Sequence, residues 1–311
     1  MNRKIILPGG AGLVGQNLVA RLLGKGYKNI VVLDKHIANL AILKKTQPKI
    51  VTEYADLAEI GDWQQHFIGA DVVVMLQAQI GGNNYQEFVR NNIDSTRNIL
   101  NIVKNQNIPS LVHISSSVVE SVSNDYYTNT KKEQEDMVLE SGISAPILRP
   151  TLMFGWFDRK HLGWLSRFMK KVPIFPIPGD GKYMRQPLYS VDFCDIIISC
   201  IEKSIQSGRY NISGYENINY IDMIREIKKA INSKTLIVRI PYQLFYFLLW
   251  TWALFDKNPP FTTQQLKALT ASDEFEVIDW PNIFDVECTS FSEAIDTTFN
   301  DPVYSKVVLD F

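Results

Sequence analysis

Tyr127 and Lys131 stand four residues apart in NDYYTNTKKEQEDMVLE, a spacing that puts a phenol and an ammonium on one face of a helix. A tyrosine hydroxyl ordinarily titrates near about 10 and is a poor base at neutral pH. A neighbouring positive charge favours the phenolate, which can then take the proton of a substrate hydroxyl. Tyr126 has Thr130 at the same offset, so only Tyr127 fits the pair. On its own the pair equally describes an amphipathic helix surface. Ser115, Ser116 and Ser117 close the apolar run SLVHIS. A hydroxyl there can hydrogen-bond a substrate oxygen opposite the tyrosine; the alternative is a turn made of small residues.

A second group opens the chain. Gly9, Gly12 and Gly15 in KIILPGGAGLVGQNLV form G-x-x-G-x-x-G between an apolar run and a helical pattern. Glycines allow a tight turn and close approach of backbone to a pyrophosphate. The helix start, at Leu13 and Val14, offers free N–H groups and a positive dipole end to the anion. The alternative is a purely structural turn. Asp34 ends the next apolar run, 19 residues beyond Gly15. An acid there accepts hydrogen bonds from both ribose hydroxyls of an adenosine and repels a 2′-phosphate, which favours NAD over NADP. Lys35 and His36 follow directly and soften that preference. A solvated acid at a strand end is the other reading. Asp56, followed by Leu57 in YADL, falls near the end of a third strand, where it can meet an adenine amine or simply face water.

The elements that must position these groups read as alternating strands and helices. Lys4 to Leu7, Asn29 to Asp34, Asp71 to Leu76, Ser110 to Ser115 and Ala145 to Pro150 are short, continuously apolar runs, as strands covered on both faces should be. LVGQNLVARLLGKG and NNIDSTRNILNIVKNQN carry helical spacing, with Gly24 and Gly26 as stops for the first. This order predicts an α/β fold: a Rossmann-type doubly wound parallel sheet over residues 1–150. Arg209 to Ser213 looks like one more strand, so 187–215 is expected to return to that domain. Residues 151–186 and 216–311, rich in Pro, Gly and aromatics at first, are expected to form a smaller C-terminal substrate-binding lobe.

Composition narrows the function classes. The chain has 311 residues, 32 Lys+Arg against 33 Asp+Glu and 46% hydrophobic residues. Near-zero net charge argues against a nucleic-acid binder, and the apolar content against a disordered chain. Cys194, Cys200 and Cys288 are three in number and far apart, so no disulfide framework or zinc site is written, which suits a reducing cytoplasm. His36, His66, His113 and His161 show no metal-ligand spacing, and no metal is expected. No secretory signal is visible, because glycines interrupt the first apolar run at once.

The pieces PGGAGLVG, the acid Asp34, NNIDSTRNIL, HISSS, YTNTK, LRPTLMFG and GDGKYMRQPLYSVDF occur in one order with compatible spacing. On them the chain resembles the extended short-chain dehydrogenase/reductase superfamily, in its nucleotide-sugar epimerase/dehydratase branch. The resemblance implies a Rossmann domain binding NAD and a smaller domain binding a nucleoside-diphosphate sugar. It also implies a Ser/Thr-Tyr-Lys triad, in which Tyr127 is the acid/base and Lys131 holds the cofactor ribose and tunes Tyr127. Ser116 best matches the hydroxyl position and Ser117 is the fallback. Gln77, Ala78 and Gln79 match the loop that meets the cofactor, Asn92 matches an Asn of the following helix, and Arg149-Pro150 match the motif closing the next strand. Arg185 matches the arginine that touches the sugar nucleotide's diphosphate, a task suited to its bidentate fork. A homodimer through the helices around Asn91 to Lys104 and Tyr127 to Glu140 is implied as well.

The departures from that pattern matter. Where the family usually carries Tyr-Gly after the serines, this chain has Glu120 and Ser121. Tyr127 follows Ser116 by only 11 positions, so a loop is trimmed. Ser117-Val118 stand where sugar 4,6-dehydratases carry Asp-Glu, which disfavours loss of water. The expectation is therefore an NAD-dependent nucleotide-sugar epimerase or keto-sugar reductase, in surface polysaccharide or glycan precursor synthesis. The competing class is a non-catalytic dinucleotide-binding scaffold or redox sensor of the same fold. Two features stand outside this scheme. Phe154, Trp156, Phe157, Trp164 and Phe168 read as core, or as a platform for a base or sugar. PYQLFYFLLWTWALF, Pro241 to Phe255, is too short to span a bilayer and reads as a buried helix or subunit contact, or as weak docking on a membrane surface.

Overall fold

The computed structural model describes residues 2–205, 207–255, 262–271 and 276–310. Seven parallel strands form the central sheet: β1 (Lys4–Pro8), β2 (Asn29–Asp34), β3 (Val51–Tyr54), β4 (Val72–Met75), β5 (Ser110–Ile114), β6 (Pro146–Pro150) and β7 (Gly208–Ile212), in the order β7-β6-β5-β4-β1-β2-β3. The chain winds outward from β1 to β3, then returns to β4 on the other side of β1. Ligand crevices of open α/β sheets form beyond the carboxyl ends of the strands at such a reversal. The fold is the doubly wound Rossmann-type α/β sheet that the alternating pattern predicts.

Helices cover both faces because the strands are apolar on both. Ile5 and Leu7 of β1 point to one side, where α1 (Leu13–Gly24) contributes Leu18, Val19 and Leu22. Ile6 points to the other, joining Trp63, Phe67, Ile99 and Val103; the last two belong to α2 (Ser95–Asn105). Strand alternation thus splits three consecutive residues between two cores. The second face is completed by α3 (Tyr126–Glu140), which supplies Val138. On the first face α4 (Ser190–Glu202), uncharged from Ile196 to Ile201, packs against α1. The Arg21–Asp195 pair ties the two helices at 2.8 Å.

A third core builds the smaller lobe from Phe154, Leu162, Met169, Phe175, Ile177, Ile224, Phe291 and Ile295. It includes α5 (Tyr220–Ala230) and two further strands, Ile174–Pro178 and Leu236–Ile240, paired in parallel. Phe154 and Phe157 are core, Trp156 packs on Tyr304, and Trp164 stacks on Phe168 at 5.1 Å.

One expectation is corrected here. The apolar stretch after Pro241 forms α6 (Tyr242–Phe255), but none of its residues is buried. It packs along α7 (Thr263–Thr270), and that contact leaves its apolar girth largely uncovered. No described helix is long and apolar enough to cross a membrane.

Candidate active site

Three strand ends converge at the reversal point. β1 runs into the glycine turn, β4 into Gln77–Gln79, and β5 into Ser115–Ser117. Gly9 adopts φ +74°, and a Cβ there would lie 2.4 Å from the backbone of Gln77, so only glycine lets the turn pass against the end of β4. A Cβ on Gly15 would lie 2.2 Å from the Gly10 carbonyl oxygen, so the absent side chain lets α1 start directly on the turn. No side chain caps the N-terminus of α1 at Gly12. Its first N–H groups, among them Leu13 and Val14, face the crevice end of the sheet as an anion cradle.

Asp34 ties this cradle to β2. Its Oδ2 accepts from the Ala11 N–H and its Oδ1 from the His36 N–H, both at 2.9 Å. Each oxygen keeps a lone pair for a ribose hydroxyl. Asp56 lies just beyond β3, with Leu57 buried behind it. Its carboxylate is already paired with Arg90 at 2.8 Å and accepts from the Ala58 N–H. Burial opposes its ionisation, but Arg90 and that backbone bond outweigh it and hold the carboxyl below its usual range.

The Gln77–Gln79 loop is held by the helical segment that follows it. Residues Val89–Asp94 form a wide π turn leading into α2, a distortion common at functional sites. There the fully buried Asn92 accepts from the Gln79 N–H at 2.6 Å and donates to Thr130 at 2.9 Å. Gln77 donates to Thr96 at 3.2 Å, while its buried Oε1 has no partner. Ala78 between them is exposed. An orphaned acceptor next to a glycine cradle fits a ligand that brings its own donor.

The tyrosine and lysine come from the first turns of α3. Asp125 caps that helix, accepting from the Thr128 N–H at 2.9 Å, and Tyr126 packs its ring on Tyr85 and Phe88. Tyr127 then turns toward the β5 end, where the Ser116 hydroxyl interacts with the phenol. Burial raises the Tyr127 pKa, the Ser116 contact lowers it, and Asp125 raises it again. Ser116 also caps the short turn Ser117–Glu120 and accepts from the Val118 N–H at 3.4 Å, leaving Ser117 beside it as the first residue of that turn.

Lys131 is 1% exposed and lies under the site. Its ammonium donates to the Ile114 carbonyl at 3.0 Å and to the Gln134 amide oxygen. Burial pushes its pKa down to about 7, partly offset by Glu135. The ammonium of Lys131 is thus anchored to the end of β5, one helical turn beyond Tyr127.

Several residues that sequence reasoning missed hold this arrangement. Gln134 bridges Lys131 to Thr96 at 2.7 Å. Glu135, one helical turn beyond Lys131, accepts from Ser115 and forms a buried pair with Arg149 at 2.6 Å. Arg149 also binds Glu120, one of the residues replacing Tyr-Gly, and so ties the trimmed loop to β6. The i, i+4 spacing of Lys131 and Glu135 was the available signal. Behind Lys131, His113 is fully buried with neither ring nitrogen partnered; burial, then the nearby ammonium, holds its pKa well below the usual histidine range.

Arg185 lies in the smaller lobe, on the short strand Met184–Arg185 that pairs with Ile218–Asn219. Its guanidinium lies over the Tyr183 ring at 5.4 Å and donates to the carbonyls of Leu269 and Ala271 at the end of α7. Among the described residues no His/Cys/Asp/Glu cluster could hold a metal ion.

Comparison with known proteins adds the following. The model of the NAD dependent epimerase/dehydratase family matches residues 5–213. The N-acetyl-α-D-glucosaminyl-diphospho-ditrans,octacis-undecaprenol 4-epimerase of Escherichia coli O157:H7 is 24% identical, covering 78% of this chain and 77% of that protein. The UDP-glucose 4-epimerase of Vibrio cholerae is 22% identical, covering 83% and 82%. Among solved structures, UDP-glucuronic acid 4-epimerase from Bacillus cereus in complex with NAD superposes with a TM-score of 0.71 at 21% identity, covering 96% of this chain and 97% of that one.

Proposed function

The chain belongs to the NAD dependent epimerase/dehydratase family, and from that premise we propose that it is a 4-epimerase-type enzyme that inverts a carbinol centre of a diphosphate-linked sugar, a nucleoside-diphosphate sugar in the first instance. The observation that carries this reading is the Ser116–Tyr127 hydroxyl pair at the strand ends, with Lys131 buried one turn along α3. The glycine cradle, Asp34 and the unpartnered Gln77 oxygen fit NAD. Bound there, NAD⁺ would supply the hydride acceptor for the carbinol carbon and, once reduced, the hydride donor for the keto carbon.

The chain's own residues handle the proton and the geometry. Tyr127 takes the hydroxyl proton as the carbinol is oxidised and gives it back when the keto group is reduced. Ser116 donates to the same sugar oxygen, fixing it against the phenol. Lys131 supplies a cation beneath the site that a ribose can draw from the Ile114 carbonyl. Dehydration has no matching acid: position 117 is Ser, 118 is Val, and Glu120 is engaged with Arg149. Arg185 is the group we assign to the substrate diphosphate. Release of its carbonyls at the end of α7 would accompany substrate binding. The homodimer through α2 and α3 stays part of this reading, and sedimentation at micromolar concentration tests it.

The decisive experiment titrates the purified chain calorimetrically with NAD⁺ and NADP⁺. It then follows a panel of UDP-, GDP- and dTDP-sugars and a polyprenyl-diphosphate sugar by NMR. An epimer should appear without net accumulation of reduced cofactor. Tyr127→Phe should lower turnover by roughly 10²–10⁴-fold while NAD⁺ still binds. Stoichiometric consumption of reduced cofactor, or a Tyr127→Phe enzyme as active as the parent, sinks the epimerase reading.

A further inference from the structure

We propose that α6, together with the cationic groove that leads into it, is a docking surface for a bilayer containing anionic phospholipid. The 14 residues YQLFYFLLWTWALF contain no charged side chain, and none of them is buried. Leu244, Phe247, Leu248, Trp252, Leu254 and Phe255 are each about half exposed or more, Phe255 reaching 91%. A contiguous apolar face of this kind is unlike the scattered exposed apolar residues of ordinary surfaces. The helix is about 21 Å long at 1.5 Å per residue, short of the roughly 30 Å hydrocarbon core. It can therefore lie in the interface but not cross it. Half of its side chains are aromatic, the type that prefers the boundary between headgroups and acyl chains.

Charge selects the occupant. Arg225, Lys228 and Lys229 of α5 line a groove with Arg239 and the exposed Leu236 and Val238 of the strand Leu236–Ile240. Arg225 pairs with Asp222, whereas among the described residues Lys228, Lys229 and Arg239 have no ion-pair partner. Arg239 precedes the first residue of α6 by three positions, so the groove opens within about 11 Å of the helix. The whole chain carries a net charge of -1, so this concentration of cations is local. A second copy docked face to face through this surface would bring like charges together, which disfavours it. An anionic headgroup layer satisfies the cations and the apolar helix at once.

The surface is also connected to the smaller lobe's polar chemistry. α6 packs on α7, and the end of α7 is held by the Arg185 guanidinium. The inference does not depend on the proposed reaction: a chain that turns over no sugar would still dock.

The test is flotation of the full chain with phosphatidylcholine vesicles and with vesicles that also contain phosphatidylglycerol, at low and high salt. Binding is expected to the anionic vesicles, weakening as salt rises. Each basic side chain near such a surface contributes about 1 kcal/mol, a factor of about five. Lys228→Ala with Lys229→Ala should therefore lower partition by roughly thirtyfold, and Phe247→Ser with Phe255→Ser should abolish it. Both variants should keep parental NAD⁺ affinity, which reports the fold. Three outcomes overturn the proposal. One is no partition into either vesicle, and another is equal binding to both that ignores the lysine pair. The third is a dimer in sedimentation that dissociates in the phenylalanine variant, since a second copy would then cover the helix.

Discussion

Two glycines of the same turn should respond to alanine in opposite ways. Gly12 has φ −80° and ψ −174°, an extended conformation that alanine adopts without strain. A Cβ there would meet nothing nearer than the Gly9 carbonyl oxygen at 4.0 Å. Gly12→Ala should thus cost the empty protein nothing. It should raise stability by about 0.4–1 kcal/mol, because the unfolded chain loses freedom. For a chain of this size that is a rise in melting temperature of about 0.6–1.5 °C. The added methyl would occupy the space over the start of α1 that a pyrophosphate needs to reach the backbone N–H groups. Losing a charge-assisted hydrogen bond there costs about 1.5–3 kcal/mol, a tenfold to hundredfold loss of NAD⁺ affinity.

Gly15→Ala is the opposite case. Its Cβ would lie 2.2 Å from the Gly10 oxygen and 2.5 Å from the Gly10 carbonyl carbon and Cα, and backbone cannot rotate away. Overpacking of this kind costs about 3 kcal/mol or more, against about 1 kcal/mol gained in helix propensity. Urea denaturation without cofactor and calorimetric titration with NAD⁺ separate the two effects. If Gly12→Ala is less stable than the parent without cofactor, or binds NAD⁺ as well as the parent, the turn is a structural element and the cradle argument fails.

Three more variants probe the layer beneath the site. His113→Leu removes two buried, unpartnered ring nitrogens and should stabilise the chain by about 1–3 kcal/mol. The folded His113 pKa is depressed, so below about pH 6.5 only the unfolded parent takes up this proton. The variant's advantage should therefore widen as pH falls, and a constant or negative difference in urea midpoints would count against it. Lys131 has its folded pKa lowered to about 7. The unfolded chain thus holds more protons between about pH 7 and 10.5, and stability should rise with pH across that window by at most about 1.4 kcal/mol per unit. Relative to the parent, Lys131→Met should show a flatter stability profile from pH 7 to 9 in parallel denaturation series. Glu135→Gln leaves Arg149, 8% exposed, without its buried partner. It should cost about 3–5 kcal/mol in urea denaturation; a loss below 1 kcal/mol would show that Glu120 alone suffices for Arg149.

What could be read from the sequence divides along a physical line. The strands and the glycine turn were legible because their causes are local: continuous apolar runs, glycine where backbone must approach backbone, an acid at the next strand end. The Tyr127–Lys131 pair was legible as a spacing, but not where the ammonium goes, since its partners are the Ile114 carbonyl and Gln134. The layer that holds the site, with Thr96, Thr130, Gln134 and Glu135 reaching Asn92 and Arg149, joins residues up to 42 positions apart. No periodicity encodes such polar contacts. The trimmed loop shows the same limit. Glu120 looked like a loss from the family pattern, yet it binds Arg149 and anchors the turn that follows Ser116. The expectation that α6 is buried failed for a different reason. Hydrophobicity on every side argues for burial only if enough chain surrounds the helix, and the amount of covering surface is a property of the whole lobe. The exposure of Phe247 and Phe255 is thus a statement about what is missing around the helix, which is why it points outward to a second phase rather than inward to the core.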